Sequence, residues 1–242
     1  MDIKIIQQNV CGEKLYKCKW RDEDFSMLID FLIERDPDIL FLTEFCHKKM
    51  IGTIQEKLPN FKFVTPKELS EKDKNSNSLY ASCFMAYKNE KISIDPNLEG
   101  INDMLKLRYI CGRVLCNDIE LFKILFMYVP QTYNAPLNRI VAKRKMLNGA
   151  KYFINKNLEE KIFVCGDMNS DIDYCSTSCI NDFAELYDLL IDTDIHKHPT
   201  WKYKRLDYAL ISKNKNISGE TLPLKTNSDH AGLETVLHIN GY

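Results

Sequence analysis

Residues Ile162–Asn169 have the sequence IFVCGDMN, in which a short apolar run ends in polar residues. An apolar run of this length predicts a fully buried β-strand. The same pattern occurs at Ile39–Leu42, followed closely by Glu44, and at Ile3–Ile6, which leads to Asn9. Because layered α/β folds build their sites where strands end, we expect these polar residues to meet in one site.

Two further features extend this pattern. Asp167 and Asn169 are two positions apart, which in an extended chain places both side chains on one face. Asp229 and His230 directly precede another predicted strand, Leu233–Ile239. The order of these residues along the chain, rather than any one of them, indicates a catalytic or metal-binding site.

Helices are predicted between the strands. A shorter helix ends before Pro37, because a proline disfavours helical backbone in the residue before it. A long helix is predicted from Asn134 to about Leu158, with Lys143 outside its apolar stripe. That stripe is predicted to comprise Leu137, Ile140, Val141, Leu147, Ile154 and Leu158. Strands and helices alternate along the whole chain, which predicts one α/β domain over residues 1–242.

Composition limits the class of protein. The 242 residues carry a formal net charge of −1, whereas a coat for non-specific nucleic-acid binding is usually basic. This charge does not exclude a nucleic-acid enzyme, since a local basic face is enough. Apolar runs fall short of the roughly 18 residues that span a membrane, and the N-terminus lacks the apolar segment of a signal peptide. Nine dispersed cysteines suit reduced thiols. We therefore expect a cytoplasmic monomer without a membrane span.

Seven blocks form an ordered series from the first predicted strand to the last. They are Asn9, Asp38–Glu44, Gly112–Val114, Tyr128–Gln131, Gly166–Asn169, Arg205–Tyr208 and Ser228–His230. In this order and spacing the chain resembles the exonuclease III and AP-endonuclease branch of the DNase I-like endonuclease/exonuclease/phosphatase superfamily. The resemblance covers nearly the whole chain. It implies a four-layer α/β sandwich, with two mixed β-sheets packed face to face and helices outside.

The resemblance also implies Mg²⁺-dependent hydrolysis of a phosphodiester, with Mn²⁺ as the alternative ion. The implied metal ligands are Glu44, Asn9 and Asp229. The implied catalytic residues are Asp167, Asn169, His230, Tyr128 and Asp207. Asp167 would orient or deprotonate the attacking water, while Asn169 holds water or a phosphate oxygen. His230, kept protonated by Asp207, would donate to a phosphate oxygen. Tyr128 would contact the phosphate or assist the leaving oxygen.

The implied partner is nucleic acid, with DNA in first place. The activity would be that of an endonuclease or exonuclease, with repair of abasic sites as one form of it. The expected substrate contacts are Lys14, Lys17, Lys19, Arg139 and Trp201. Lysines in the loop after the first strand and an arginine on the long helix would grip the phosphate backbone, and aromatic side chains would stack on bases.

Three departures from the branch pattern leave the substrate open. Cys11 stands where the branch has an oxygen ligand, Phe45-Cys46 replaces Thr-Lys, and the segment from Trp201 to Asp207 is short. Because of Cys11, either Glu44 and Asp229 hold the metal with water or the metal affinity is reduced. The short segment favours a simpler nuclease or another phosphate ester, such as RNA, an inositol phosphate or a phospholipid headgroup, and the lost lysine also favours another ester. Tyr128, at a place where the DNase I and sphingomyelinase branches carry histidine, favours the exonuclease III side. A catalytically inactive nucleic-acid-binding module is the alternative of another class.

Overall fold

The computed structural model describes residues 1–11, 21–67, 69–75, 82–96, 107–132, 136–169, 183, 185–189, 199–202 and 204–241. The strands are β1 (Asp2–Asn9), β2 (Ile39–Phe45), β3 (Phe61–Val64), β4 (Ser82–Lys88), β5 (Ser93–Asp95), β6 (Tyr109–Cys116), β7 (Ile119–Tyr128), β8 (Ile162–Asp167), β9 (Leu186–Asp188), β10 (Asp207–Ser212), β11 (Ile217–Leu224) and β12 (Gly232–Ile239). The helices are α1 (Asp22–Ile33), α2 (His47–Lys57), α3 (Glu71–Lys74) and α4 (Leu137–Lys156).

These strands form two mixed sheets of six strands each. The first sheet has the order β11-β12-β1-β2-β4-β3, and the second has the order β5-β6-β7-β8-β10-β9. Each contains one parallel pair, β1 with β2 and β7 with β8, among antiparallel neighbours. The expected α/β class with two mixed sheets is confirmed.

Alternating side chains divide the central strands between two cores. Ile3 and Ile5 of β1 enter the core between the sheets, whereas Ile6 packs beneath the helices. The two sheets meet directly where Phe41 of β2 stacks on Phe126 of β7, with ring centroids 4.1 Å apart. In the central strands β2, β8 and β10 this division buries both faces, which is why these strands are nearly continuous apolar runs.

The helices cover the outer faces of the two sheets. α1 and α2 pack on the first sheet, and α1 buries the face formed by Phe25, Leu28, Ile29 and Leu32. α4 packs on the second sheet against β7, β8 and β10. The order helix, sheet, sheet, helix is the expected four-layer sandwich. Within the described residues, none of the helices has the length and apolar character needed to cross a membrane.

The predicted stripe of α4 is wrong. Leu137 is 73% exposed and Val141 is 44% exposed, while Ile154 is the one predicted member that is fully buried. The buried face is formed by Lys143, Met146, Gly149, Ala150, Phe153 and Ile154. Apolar residues occur all round this helix, so their spacing alone does not define the face that meets the sheet.

Candidate active site

The candidate active site lies where strand ends of both sheets meet. The parallel strands β1 and β2 end side by side, and so do β7 and β8, where Tyr128 is paired with Asp167. The antiparallel strand β10 begins at this same edge, with Asp207 opposite Asp167. β12 runs antiparallel to β1, so the residues before it, including His230, return to the end of β1. The topology thus collects residues that are far apart in sequence.

Asn9 joins the two sheets at this edge. Its side-chain nitrogen donates to Glu44 Oε1 at 3.2 Å in the first sheet and to Asp167 Oδ2 at 3.0 Å in the second. Its side-chain oxygen accepts from the backbone N–H of Cys11 at 2.8 Å. The amide group therefore presents its two N–H donors to the carboxylates. Its predicted role as a metal ligand stays a prediction.

A bulge in β2 directs Glu44 into the site. Leu42 pairs with Phe84 and Phe45 with Ser82, which leaves one extra residue on the β2 side. Glu44 adopts a left-handed backbone with φ of 55°, a conformation that costs roughly 1–2 kcal/mol outside glycine. Its carboxylate accepts from the Tyr128 hydroxyl at 3.1 Å. Burial raises the pKa of Glu44, against the lowering effect of the Asn9 hydrogen bond.

Asp167 is a buried carboxylate of the site, with 1% of its surface exposed. Its Oδ1 accepts from the backbone N–H of Asn169 at 2.9 Å. Burial and then the charge of Asp207 raise the pKa of Asp167 to about 7. The expectation that Asp167 and Asn169 share a face of an extended chain is wrong, because β8 ends at Asp167 and Asn169 has φ of 45°. The turn, rather than strand geometry, keeps them together.

His230 and Asp207 form a hydrogen-bonded pair, with 2.9 Å between Nδ1 and Oδ2. Thr200 Oγ1 accepts from the backbone N–H of Asp207 at 3.0 Å and so fixes the start of β10. Burial disfavours the charged form of His230, but the charge of Asp207 and this hydrogen bond outweigh it. Together they raise the pKa of His230 to about 10. The imidazole is therefore protonated at neutral pH.

The remaining predicted residues differ in how they relate to this cluster. Trp201 is half-buried, and its ring centroid lies 6.3 Å from that of His230. Asp229 is exposed, and its charge contributes to raising the pKa of both Glu44 and His230. Arg139 is exposed on the first turn of α4. The loop residues Lys14, Lys17 and Lys19 lie outside the described residues.

Arg108 is a site residue that the sequence does not indicate. Its guanidinium carbon lies 4.5 Å from the ring centroid of Tyr128. Among the described residues its buried Nη1 atom has no hydrogen-bond partner. Arg108 precedes β6, whose pairing with β7 brings its carbonyl to the N–H of Tyr128 at 2.8 Å. The resemblance includes Arg113 instead, which forms an ion pair with Asp95.

The donor set fits a hard divalent cation. Glu44, Asp167, Asp207 and Asp229 are four carboxylates in one region, and their shared charge contributes to the raised pKa values of Glu44 and Asp167. A cation that takes oxygen ligands would relieve this repulsion, and Mg²⁺ is commonly held by one or two carboxylates. Asp167, Asp207 and His230 also lie close enough to share an ion. Since Asp207 already binds His230, the half-buried Glu44 is the more suitable ligand.

The fold of this chain is one that occurs in proteins of known structure. No protein-family model matches the sequence, and no curated protein matches it significantly. Solved structures, however, match over nearly the whole chain and confirm the DNase I-like fold of endonuclease/exonuclease/phosphatase proteins. At the sequence identities involved, this likeness concerns the fold.

Three proteins illustrate the likeness. A humanized TDP2 of D. rerio with 14 mutations is 16% identical, with a TM-score of 0.73, covering 98% of this chain and 99% of its own. The human Nocturnin catalytic domain with bound sulfate is 22% identical, with a TM-score of 0.71, covering 99% and 94%. A mannosyl-6-phosphatase of Bacteroides thetaiotaomicron is 14% identical, with a TM-score of 0.61, covering 97% and 99%. D. rerio TDP2 is also similar in its complex with a single-strand DNA product, at 16% identity, TM-score 0.65 and coverage of 98% and 99%.

Proposed function

We propose that this chain is a divalent-metal-dependent phosphodiesterase that hydrolyses nucleic-acid phosphodiester bonds, with DNA as the leading substrate. The observation that carries the proposal is the approach of Asp167, Asp207 and His230, whose ligand-type atoms all lie within 4.8 Å of one another. A carboxyl with a pKa of about 7 next to an imidazole with a pKa of about 10 combines a base and a cation at neutral pH. Groups whose environments set such different pKa values suit acid–base chemistry.

Asp167 acts as the general base. Its Oδ1 accepts from Asn169 and its Oδ2 from Asn9, so the plane of the carboxylate is fixed. A general base works best when its pKa lies near the working pH, and a value of about 7 meets this condition. Asp167 thus holds a water molecule and takes its proton while the water oxygen attacks phosphorus. The bond from phosphorus to the leaving oxygen breaks in the same step, and the leaving oxygen takes up a proton from solvent.

His230 and Tyr128 act as donors to the phosphate. Nδ1 of His230 is engaged by Asp207, so Nε2–H is the donor directed to a non-bridging oxygen. Burial raises the pKa of the Tyr128 hydroxyl well above its ordinary value, which keeps that group protonated. The guanidinium of Arg108, beside Tyr128, adds a second positive charge. Preorganised donors of this kind stabilise the charge that develops in the transition state.

Glu44, with Asp229 and the amide of Asn9 nearby, would hold the cation. When bound, Mg²⁺ or Mn²⁺ supplies Lewis-acid polarisation of a phosphate oxygen and offsets developing negative charge. Glu44 suits this role because it is an oxygen ligand at the mouth of the site, held by Asn9 and Tyr128.

Nucleic acid is the substrate that the surroundings favour. The half-buried Trp201 beside His230 offers a face for a base, and base stacking on an aromatic ring contributes about 1–3 kcal/mol. The exposed Arg139 is available for the phosphate backbone, and contacts of Lys14, Lys17 and Lys19 with that backbone are part of this proposal. D. rerio TDP2, similar in fold, binds a single-strand DNA product. The proposal includes endonuclease activity, exonuclease activity and cleavage at abasic sites.

A second candidate is hydrolysis of a different phosphate ester. The net charge of −1 gives the chain no overall attraction to a polyanion. The similar mannosyl-6-phosphatase shows that the fold also serves a sugar phosphate. RNA, inositol phosphates and phospholipid headgroups belong to this alternative, since one scaffold hosts many substrates.

A cleavage panel with Mg²⁺ tests the proposal. Labelled duplex DNA with and without an abasic site, single-stranded DNA and RNA are incubated with wild type, Asp167→Asn and Asp118→Asn. Asp118 is exposed in the turn between β6 and β7, at the other end of the sheet, and serves as the matched control. We expect cleavage by wild type and Asp118→Asn but not by Asp167→Asn.

The other outcomes separate the alternatives. Activity that survives Asp167→Asn would refute the mechanism. Binding of DNA without cleavage by any of the three proteins, with Mg²⁺ or Mn²⁺, would identify an inactive binding module. Failure to cleave or bind nucleic acid would direct the same panel to inositol phosphates and phospholipids.

A further inference from the structure

Helix α4 buries a lysine. Lys143 is 6% exposed and lies on the face of α4 that also carries Met146, Ala150 and Phe153. A buried ammonium is unfavourable unless it is hydrogen-bonded, whereas leucine or methionine would fill this position without that penalty. A lysine on this face therefore indicates that its ammonium group has a specific role.

The ammonium is directed to the turn that follows β8. Nζ of Lys143 donates to the carbonyl oxygen of Asn169 at 2.9 Å. Asn169 has φ of 45°, a left-handed conformation that asparagine adopts more readily than most residues but that still needs support. The Asn169 side chain supplies a second anchor, because its Nδ2 donates to the carbonyl oxygen of Val129 at 2.9 Å.

This turn connects Lys143 to the proposed base. The backbone N–H of Asn169 donates to Asp167 Oδ1 at 2.9 Å. The carbonyl and the N–H of Asn169 are thus bonded on opposite sides, one to the helix and one to the carboxylate. A shift of the turn would displace a hydrogen bond from the carboxylate that must align with the attacking water. Displacement of a reacting group by about 1 Å can lower a rate by about 100-fold.

We propose that Lys143 is a positioning residue, whose ammonium holds Asn169 and thereby keeps Asp167 oriented, without touching the substrate. Its effect on turnover rests on the proposed function, whereas its effect on the Asn169 turn does not. A contact with the phosphate backbone is disfavoured, because the side chain is buried and its ammonium is bonded to the turn.

The test compares Lys143→Met, which keeps the length and removes the charge, with Lys143→Arg, which keeps the charge. Lys151→Met is the matched control, since Lys151 is exposed on the same helix. Three quantities are measured for each protein: exchange of the Asn169 backbone amide by NMR, kcat and KM on a substrate that wild type cleaves, and the melting temperature.

In Lys143→Met we expect the Asn169 amide to exchange about tenfold faster, because its turn loses a support. We expect kcat to fall about tenfold to 100-fold and KM to stay within about twofold of wild type. Lys143→Arg should recover part of both losses, and Lys151→Met should match wild type. If Lys143→Met does not melt cooperatively, Lys143→Arg must itself show a lower kcat at unchanged KM.

Two results would overturn the proposal. One is unchanged Asn169 exchange together with unchanged kcat in Lys143→Met. The other is a raised KM at unchanged kcat, which would make Lys143 a substrate contact. If wild type hydrolyses no phosphate ester while Asn169 exchange still responds to Lys143→Met alone, the proposed function fails and the link from Lys143 to the turn stands.

Discussion

The side-chain nitrogen of Asn9, at the end of one sheet, lies 3.0 Å from Asp167 Oδ2, at the end of the other. The Tyr128 hydroxyl crosses the same boundary in the opposite direction and donates to Glu44. Each sheet thus contributes a hydrogen-bond donor to a carboxylate of the other sheet. The relative placement of the two sheets therefore determines the geometry of the site.

Replacing Asn9 with alanine should reduce both turnover and stability. Both carboxylates would lose a donor, and a charged group left without its hydrogen bond loses about 1.5–3 kcal/mol. We expect kcat/KM to fall about 100-fold or more, with cooperative unfolding preserved. Kinetics and urea unfolding measure the two effects, and the exposed Asn60→Ala is the control. Wild-type kinetics in Asn9→Ala would refute a role for the contact between the sheets.

Asp207→Asn should lower the pKa of His230. In wild type the pKa is about 10, above the ordinary 6.5. The pair therefore stabilises the fold fully below pH 6.5, and this contribution is lost as pH rises through about 10. In the variant, burial still disfavours the imidazolium, and only the charges of Asp167 and Asp229 are left to oppose it. NMR titration of the His230 ring and unfolding at pH 6 to 10, both without metal, test this expectation. Identical titration of the two proteins would contradict it.

Glu44→Gln should uncouple stability from Mg²⁺. Burial raises the pKa of Glu44. The metal-free protein therefore loses stability as pH rises through that pKa and the carboxylate ionises. Glutamine has no such charge, so the variant lacks this loss at neutral pH. A ligand at 100 times its Kd stabilises a protein by about 2.7 kcal/mol. We expect wild type to gain melting temperature with Mg²⁺ and Glu44→Gln to gain little. Equal gains would remove Glu44 from the cation site.

Two glycine-to-alanine changes should have opposite effects on the free energy of unfolding. Gly166 has φ of 136°, and a Cβ there would lie 1.9 Å from the carbonyl oxygen of Met127. Gly166→Ala should therefore destabilise the fold by about 3 kcal/mol or more. Gly52, in α2, has open space within 4 Å of the position that a Cβ would take, so Gly52→Ala should stabilise by about 0.5–1 kcal/mol. Urea unfolding compares them, and tolerance of Gly166→Ala would contradict the close approach of β7 and β8.

Much of the fold can be predicted because its strands are short apolar runs that end in polar residues. This pattern predicts β2 and β8, and the structure confirms both. The buried face of α4 could not be predicted, because this helix has apolar residues on every side. Lys143 and Phe153 are buried because they lie on the side that packs against the second sheet. Single-domain organisation and a monomeric state stay predictions.

The identity of the site residues can be predicted better than their arrangement in space. The resemblance implies that Glu44, Asp167 and His230 share a site, and the structure places them at one edge. The left-handed backbone of Glu44 and Asn169 depends on a bulge and a turn that have no sequence signature. Arg108 could not be predicted, because its position beside Tyr128 depends on the pairing of β6 with β7.

The pairing of β12 with β1 has a consequence for biosynthesis. Ser228 Oγ donates to the carbonyl oxygen of Asn9 at 2.7 Å, and Gln8 Nε2 donates to that of His230 at 3.1 Å. A ribosome makes His230 more than two hundred residues after Asn9. Until the segment that carries His230 has been synthesised, the edge of the sheets around Asn9 lacks these two hydrogen bonds. The candidate site is therefore among the last parts of the described fold that can form during translation.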